Sequence, residues 1–211
     1  MGKLVAVTGS SGVGKTSLVH ALAQMGDFKL GIEQHNERPF QNLFKINPQF
    51  ALPNQIDYLL LRAEQEQSLR MSPQTGLVDG GLDQDFHGFT RLFHARNLLN
   101  DLELDLCRRL YQFCRSHLPS PDLIIHITAS PEIIKQRLAG RDRVNITSTA
   151  DLLQFDSFLE DWLITIPSEK IIRLDVSSVS LSYAEILPFL QNQISEKLQL
   201  DAGNYDTGYI P

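Results

Sequence analysis

Leu4-Val5-Ala6-Val7-Thr8-Gly9-Ser10-Ser11-Gly12-Val13-Gly14-Lys15-Thr16 is the stretch on which the reading of the chain turns. A short apolar, β-branched run gives way to a Gly/Ser cluster, and Lys-Thr then opens an apolar-periodic segment reaching about Met25. The order is that of a buried strand, a tight turn and a helix. Within it, Gly9-Ser10-Ser11-Gly12-Val13-Gly14-Lys15-Thr16 matches G-x-x-x-x-G-K-[ST], the Walker A or P-loop pattern. Glycines let backbone N–H groups turn inward around a phosphate, and the helix start adds partial positive charge. Lys15 reaches the β- and γ-phosphates, and the Thr16 hydroxyl ligates Mg²⁺. Residues 9–16 are therefore the expected nucleoside-triphosphate-binding loop.

Further along, strands are expected at Phe28–Glu33, Gly76–Asp79, Asp122–Thr128 and Lys170–Val176. Apolar residues at helical spacing fill 53–71, 89–117, 150–164 and 182–198, and Pro131 opens a helix running to about Ala139. Over 89–117, Leu92, Ala95, Leu99, Leu102, Leu106, Leu110 and Phe113 read as one continuous helix face. Strands alternating with helices imply βαβ crossovers and a parallel sheet covered on both faces.

The 211 residues suffice for one domain. Net charge is -6, from 19 Lys+Arg against 25 Asp+Glu, which argues against a nucleic-acid polymer as partner. No apolar run approaches the length of a membrane span, and the first apolar stretch is too brief for a signal peptide. The expectation is a cytoplasmic protein. Cys107 and Cys114 lie two helical turns apart, about 10 Å, too far for a disulfide, and read as buried thiols. The histidines show no zinc-ligand spacing, and His126, inside an apolar strand, reads as a core residue.

Several further motifs fall into one pattern. Glu33 ends the second strand, and Asp79 ends the third, followed by Gly80-Gly81 and then Asp85. Gln55 and Arg62 are seven apart on a predicted helix, so they share a face. Arg137, Arg141 and Arg143 follow the fourth strand and its helix as R-x₃-R-x-R. Over roughly residues 1–165 this resembles the deoxynucleoside kinases, relatives of thymidylate kinase.

The resemblance implies a three-layer α/β P-loop NTPase fold: a five-stranded parallel sheet in order 2-3-1-4-5, helices on both faces and an arginine lid at about 137–150. Residues 1–211 would form a single P-loop kinase domain, with 201–211 as a polar tail. The activity implied is ATP-dependent transfer of the γ-phosphoryl group to the 5′-hydroxyl of a (deoxy)nucleoside. Glu33 would be the general base, and Lys15, Arg141 and Arg143 would stabilise the developing charge. Arg137 would stack on the donor adenine. Gln55, Arg62 and Asp85 would contact the nucleobase, while Thr16 and Asp79 would hold Mg²⁺. A homodimer paired through the helix at 89–117 is also implied.

The chain departs from the family pattern at Gly80-Gly81, where the family has Arg-Ser, and near Phe44-Lys45, where it has a sugar-binding tyrosine. These departures leave two other readings open. One is a kinase of a nucleoside monophosphate or another small hydroxyl compound. The other is a nucleotide-binding regulatory module without turnover.

Overall fold

The computed structural model describes residues 2–31, 38–139 and 149–199. Its centre is a parallel sheet of β1 (Leu4–Thr8), β2 (Phe28–Gly31), β3 (Thr75–Asp79), β4 (Leu123–Thr128) and β5 (Ile171–Asp175). The strand order is β2-β3-β1-β4-β5, as expected. β1 lies between its two partners, with Val5 opposite both Leu77 and Leu123.

Alternation along β1 assigns its residues to two faces. Val5 and Val7 enter one core with α1 (Lys15–Met25), through Leu18, Val19 and Leu22, and with α9 (Leu187–Leu198), through Leu190 and Ile194. Leu4 and Ala6 face the opposite way, against Leu69 of α3 (Ala51–Arg70). Ile124 of β4 meets Phe155, Leu159 and Trp162 of α8 (Thr149–Leu163) on that second face. Full burial stabilises each such side chain by about 1.5–3 kcal/mol, so both faces of the sheet are strongly specified. Two short helices complete the periphery: α2 (Pro39–Ile46) precedes α3, and α7 (Pro131–Ala139) follows β4.

The expected helix over 89–117 is interrupted. After α4 (Leu82–Gln84), Asp85–Thr90 is π-helical and runs into α5 (Arg91–Ala95). Asn97 then adopts a left-handed conformation, φ 56°. Asn100 caps α6 (Asp101–His117) through a reciprocal capping box with Glu103. The leucine pattern does not form one buried face, because Leu92 and Leu99 are buried whereas Leu102 is 84% exposed and Phe113 65%. The inward face of α6 carries Cys107 and Cys114, both free thiols. Burial, the larger cause, together with the Glu103 charge pushes the Cys107 thiol up to about 11.

α9 starts at Leu187 and not near 182. Tyr183 stands in the left-handed region, φ 57°, with its hydroxyl donating to Gly14 O at 3.3 Å, so the chain turns there before the helix begins. Among the described residues no helix is long and apolar enough to cross a membrane.

Candidate active site

In a parallel sheet, ligands bind beyond the carboxyl ends of the strands. β1 ends at Thr8 and runs straight into the glycine loop. Gly9, Gly12 and Gly14 all have positive φ (144°, 83° and 112°), so the loop curls back on itself as a cradle. A Cβ at Gly9 would lie 2.3 Å from Ile127 O, so no larger residue fits where the loop passes β4. The Lys15 ammonium donates to Gly9 O at 2.8 Å and Ser10 O at 2.9 Å, which holds it across the loop. Ser10 Oγ is buried in the loop and lies beside the Asp156 carboxyl of α8. The inward-curling glycine backbone with the Lys15 ammonium across it fits a ligand that brings phosphate oxygens.

Thr16 Oγ1 donates to Asp79 Oδ2 at 2.5 Å, so the first turn of α1 meets the end of β3. A hydroxyl and a carboxylate side by side are hard oxygen donors, the set that suits Mg²⁺ with most of its waters retained. Among the described residues there is no cluster of three or more His, Cys, Asp or Glu that would hold a metal without such help.

A second group of expected site residues lies on α3 and the helical turn after β3. Gln55, Arg62 and Asp85 are 2%, 5% and 3% exposed. Arg62 Nε donates to Asp85 Oδ2 at 2.7 Å, and Gln55 Nε2 donates to the Asp85 backbone oxygen at 3.2 Å. The three residues expected to share a function are thus one connected cluster. Asp85 opens the π-helical stretch, a distortion common at functional sites. Thr90 Oγ1 also donates to Asp85 O, which helps hold the widened turn.

Beneath that cluster is a buried ionic network. Arg115 of α6 donates to Glu66 Oε2 at 2.7 Å through Nη1 and to Asp83 Oδ1 at 2.8 Å through Nε. The Tyr111 hydroxyl donates to the same Asp83 oxygen at 2.7 Å, and Glu66 Oε1 accepts from the Leu82 backbone N–H at 2.8 Å. Glu66 therefore pins the start of α4, three residues before Asp85. His87 stacks on Trp162 with centroids 5.4 Å apart, and burial lowers it to about 4.

Arg137 sits beside the phosphate loop. Its guanidinium donates to Val13 O at 2.6 Å and to Val176 O and Val179 O, each at 3.1 Å. Its edge is therefore engaged with backbone carbonyls of the loop and of the segment after β5. Glu33, Arg141 and Arg143 lie outside the described residues, as do most of the expected lid and the tail. Phe44, near the expected sugar-binding tyrosine, is buried and packs on Phe93 at 5.1 Å.

Two site residues had no place in the sequence reading. Gln84 of α4 accepts from Gly9 N at 2.9 Å through Oε1, reaching the loop from the turn that carries Asp85. Asp156 of α8 lies near Ser10 and Lys15. Burial pushes its carboxyl up to about 6, although both of those groups pull it down. A weak signal existed for the second: Asp156 and Glu160 are four apart at the margin of the apolar face formed by Phe155, Leu159 and Trp162. For Gln84 there was none, since its partner is 75 residues away.

Comparison with known proteins converges with this geometry. A family model described as deoxynucleoside kinase matches residues 5–193. The chain is 28% identical over 143 residues to a deoxyadenosine kinase of Dictyostelium discoideum, covering 67% of this chain but 58% of that protein. It is 26% identical over 141 residues to a deoxyguanosine kinase of Bacillus subtilis, covering 66% of this chain and 67% of the relative. A deoxyadenosine/deoxycytidine kinase of the same bacterium is 20% identical over 183 residues, 84% of each chain. With a family match across most of its length and a sheet of the expected order, the chain belongs to the deoxynucleoside kinase family.

Proposed function

We propose that this chain transfers the γ-phosphoryl group of ATP to the 5′-hydroxyl of a deoxyribonucleoside, with purines as the leading acceptors. The observation that carries the reading is the convergence of the glycine loop and the Gln55–Arg62–Asp85 cluster at the ends of adjacent strands β1 and β3. The names of the relatives, two purine deoxynucleoside kinases and one that also takes deoxycytidine, support the same acceptor class.

In this reading the loop amides and Lys15 bind the β- and γ-phosphates. The Arg137 edge is occupied, so its flat face is the surface left for the donor adenine. Gln55 and Asp85 orient the nucleobase by their paired donors and acceptors, and Arg62 holds the Asp85 carboxylate in place. Glu33 takes the hydroxyl proton, and Arg141 and Arg143 neutralise charge on the transferring group. Thr16 and Asp79 would hold Mg²⁺, which neutralises charge on the β- and γ-phosphates. A cytoplasmic enzyme, and a homodimer through the α6 face carrying exposed Leu102 and Phe113, belong to the same proposal.

The test is purified protein with labelled Mg-ATP and a panel of nucleosides and nucleoside monophosphates. Label transferred to a purine deoxynucleoside, and abolished by Glu33→Gln, supports the reading. Label on monophosphates alone, or on nothing while ATP still binds, overturns it.

A further inference from the structure

Gln84 stands between the two halves of the site, and its orientation is fixed by chemistry. Its side chain is almost sealed, 3% exposed. The Gly9 N–H it meets at 2.9 Å is a donor only, so the amide oxygen must face the phosphate loop and the NH₂ must face away. That NH₂ lies over Gly80. A Cβ added at Gly80 would be 2.9 Å from Gln84 Nε2 and 3.8 Å from Arg62 Nη2, so the two nitrogens flank one spot above the end of β3. Nε2 hydrogen-bonds to none of the described residues, and it faces the position that a Cβ at Gly80 would fill. Gly9 also accepts Lys15 Nζ at its carbonyl, 2.8 Å, so a single loop residue links the Gln84 amide to the phosphate-binding ammonium.

The space exists because residue 80 has no side chain. Gly80 holds φ 86°, a backbone that other residues rarely adopt, and its N–H donates to Val7 O at 2.8 Å. The tight turn and the missing side chain let α4 bring Gln84 back over the strand end.

We propose that Gln84 is a substrate-contacting residue whose Nε2 donates a hydrogen bond to the terminal hydroxyl oxygen of the acceptor, setting that oxygen at the mouth of the phosphate loop. The inference rests on the kinase reading above. One lone pair of the hydroxyl oxygen accepts from Nε2, and another attacks the γ-phosphorus. The new O–P bond forms as the bond to the β-phosphate bridging oxygen breaks, and ADP leaves with that electron pair. The hydroxyl proton goes to the general base. Gln84 itself exchanges no proton, and its contribution is orientation. Its opposite end braces the loop, so acceptor and donor are registered against one rigid amide.

Two substitutions separate orientation from bracing. Gln84→Glu keeps the shape and an oxygen for Gly9 N–H but replaces the donor by an acceptor. Gln84→Leu removes both. The measurements are calorimetric binding of ADP and of deoxyadenosine, steady-state transfer with Mg-ATP, and melting temperature. Gln84→Glu is expected to melt near the parent and bind ADP within about threefold. It should bind deoxyadenosine about tenfold more weakly and lose roughly a hundredfold in kcat. Gln84→Leu is expected to weaken ADP as well. If Gln84→Glu binds and phosphorylates deoxyadenosine like the parent while Gln84→Leu is impaired, Gln84 only braces the loop and the proposal is overturned. If the parent binds ADP but neither binds nor phosphorylates any nucleoside, the kinase reading fails first and takes this inference with it.

Discussion

Replacing Arg115 by methionine tests whether the network under the acceptor cluster has the energetic weight its burial implies. Methionine roughly fills the arginine stem but carries no charge. Arg115 is 11% exposed in its side chain, against 0% for Glu66 and 4% for Asp83, so both carboxylates would be left in the interior without their cation. Breaking a buried pair by removing one partner costs about 3–5 kcal/mol. Here one arginine serves two carboxylates, and Asp83 Oδ2 already lacks a partner among the described residues. A loss of about 4 kcal/mol is expected, a large share of the 5–15 kcal/mol typical of a whole domain.

Urea denaturation measures that loss directly. Adding Asp83→Asn removes one of the two orphaned charges, so the double variant should be more stable than additivity predicts, by about 1–3 kcal/mol. A second consequence runs through Leu82, whose N–H rests on Glu66 Oε1. Loosening that contact displaces the turn leading to Asp85, so the KM for the acceptor should rise several-fold while that for ATP stays put. A loss below about 1 kcal/mol, or strict additivity in the double variant, would refute the reasoning.

Three other expectations follow. His126 is 1% exposed, held between Thr8 Oγ1 at 3.1 Å and Glu160 Oε1 at 3.4 Å, and burial lowers it to about 4. The unfolded chain then binds the extra proton between about pH 6.5 and pH 4, so stability from this group is present above that window. It falls by about 3 kcal/mol as pH drops through it, and His126→Gln should flatten that part of a pH–stability curve. Arg62→Leu should remove the arginine partner of the buried Asp85 carboxylate and raise the acceptor KM at least tenfold with little effect on ATP binding, read by steady-state kinetics. Cys107, with its thiol pushed up to about 11 in the core, should resist alkylation at pH 8 in the native protein and react once urea unfolds it, counted by mass spectrometry.

Local chemistry was readable where it is written in adjacent residues. The β-branched run of β1, the glycines after it and Pro131 at the start of α7 each fix their own backbone, and the structure has them in place. Gln55 and Arg62 were legible as a pair because helical spacing alone puts them on one side of α3. The break at 96–100 is masked in the sequence by a leucine repeat that continues across it. The opposing signal, Asn100 with Glu103 as a capping box, is local and carries the helix start even though Leu102 then points outward. What no local pattern encodes is contact across the fold. Arg137 closing on three carbonyls and Gln84 meeting Gly9 depend on where the crossovers bring distant segments.

The central position of β1 has a consequence for how the chain is made. β1 needs partners on both edges, and the one nearer in sequence, β3, begins only at Thr75. At 5–20 residues per second that is a delay on the order of ten seconds, and β4 arrives later still. Throughout it, Leu-Val-Ala-Val remains an apolar segment with bare strand edges, the form most open to pairing with another nascent chain. The strand that delivers the phosphate loop is therefore also the segment most exposed to misassembly during synthesis, so slowed synthesis before β3 should lower the soluble yield.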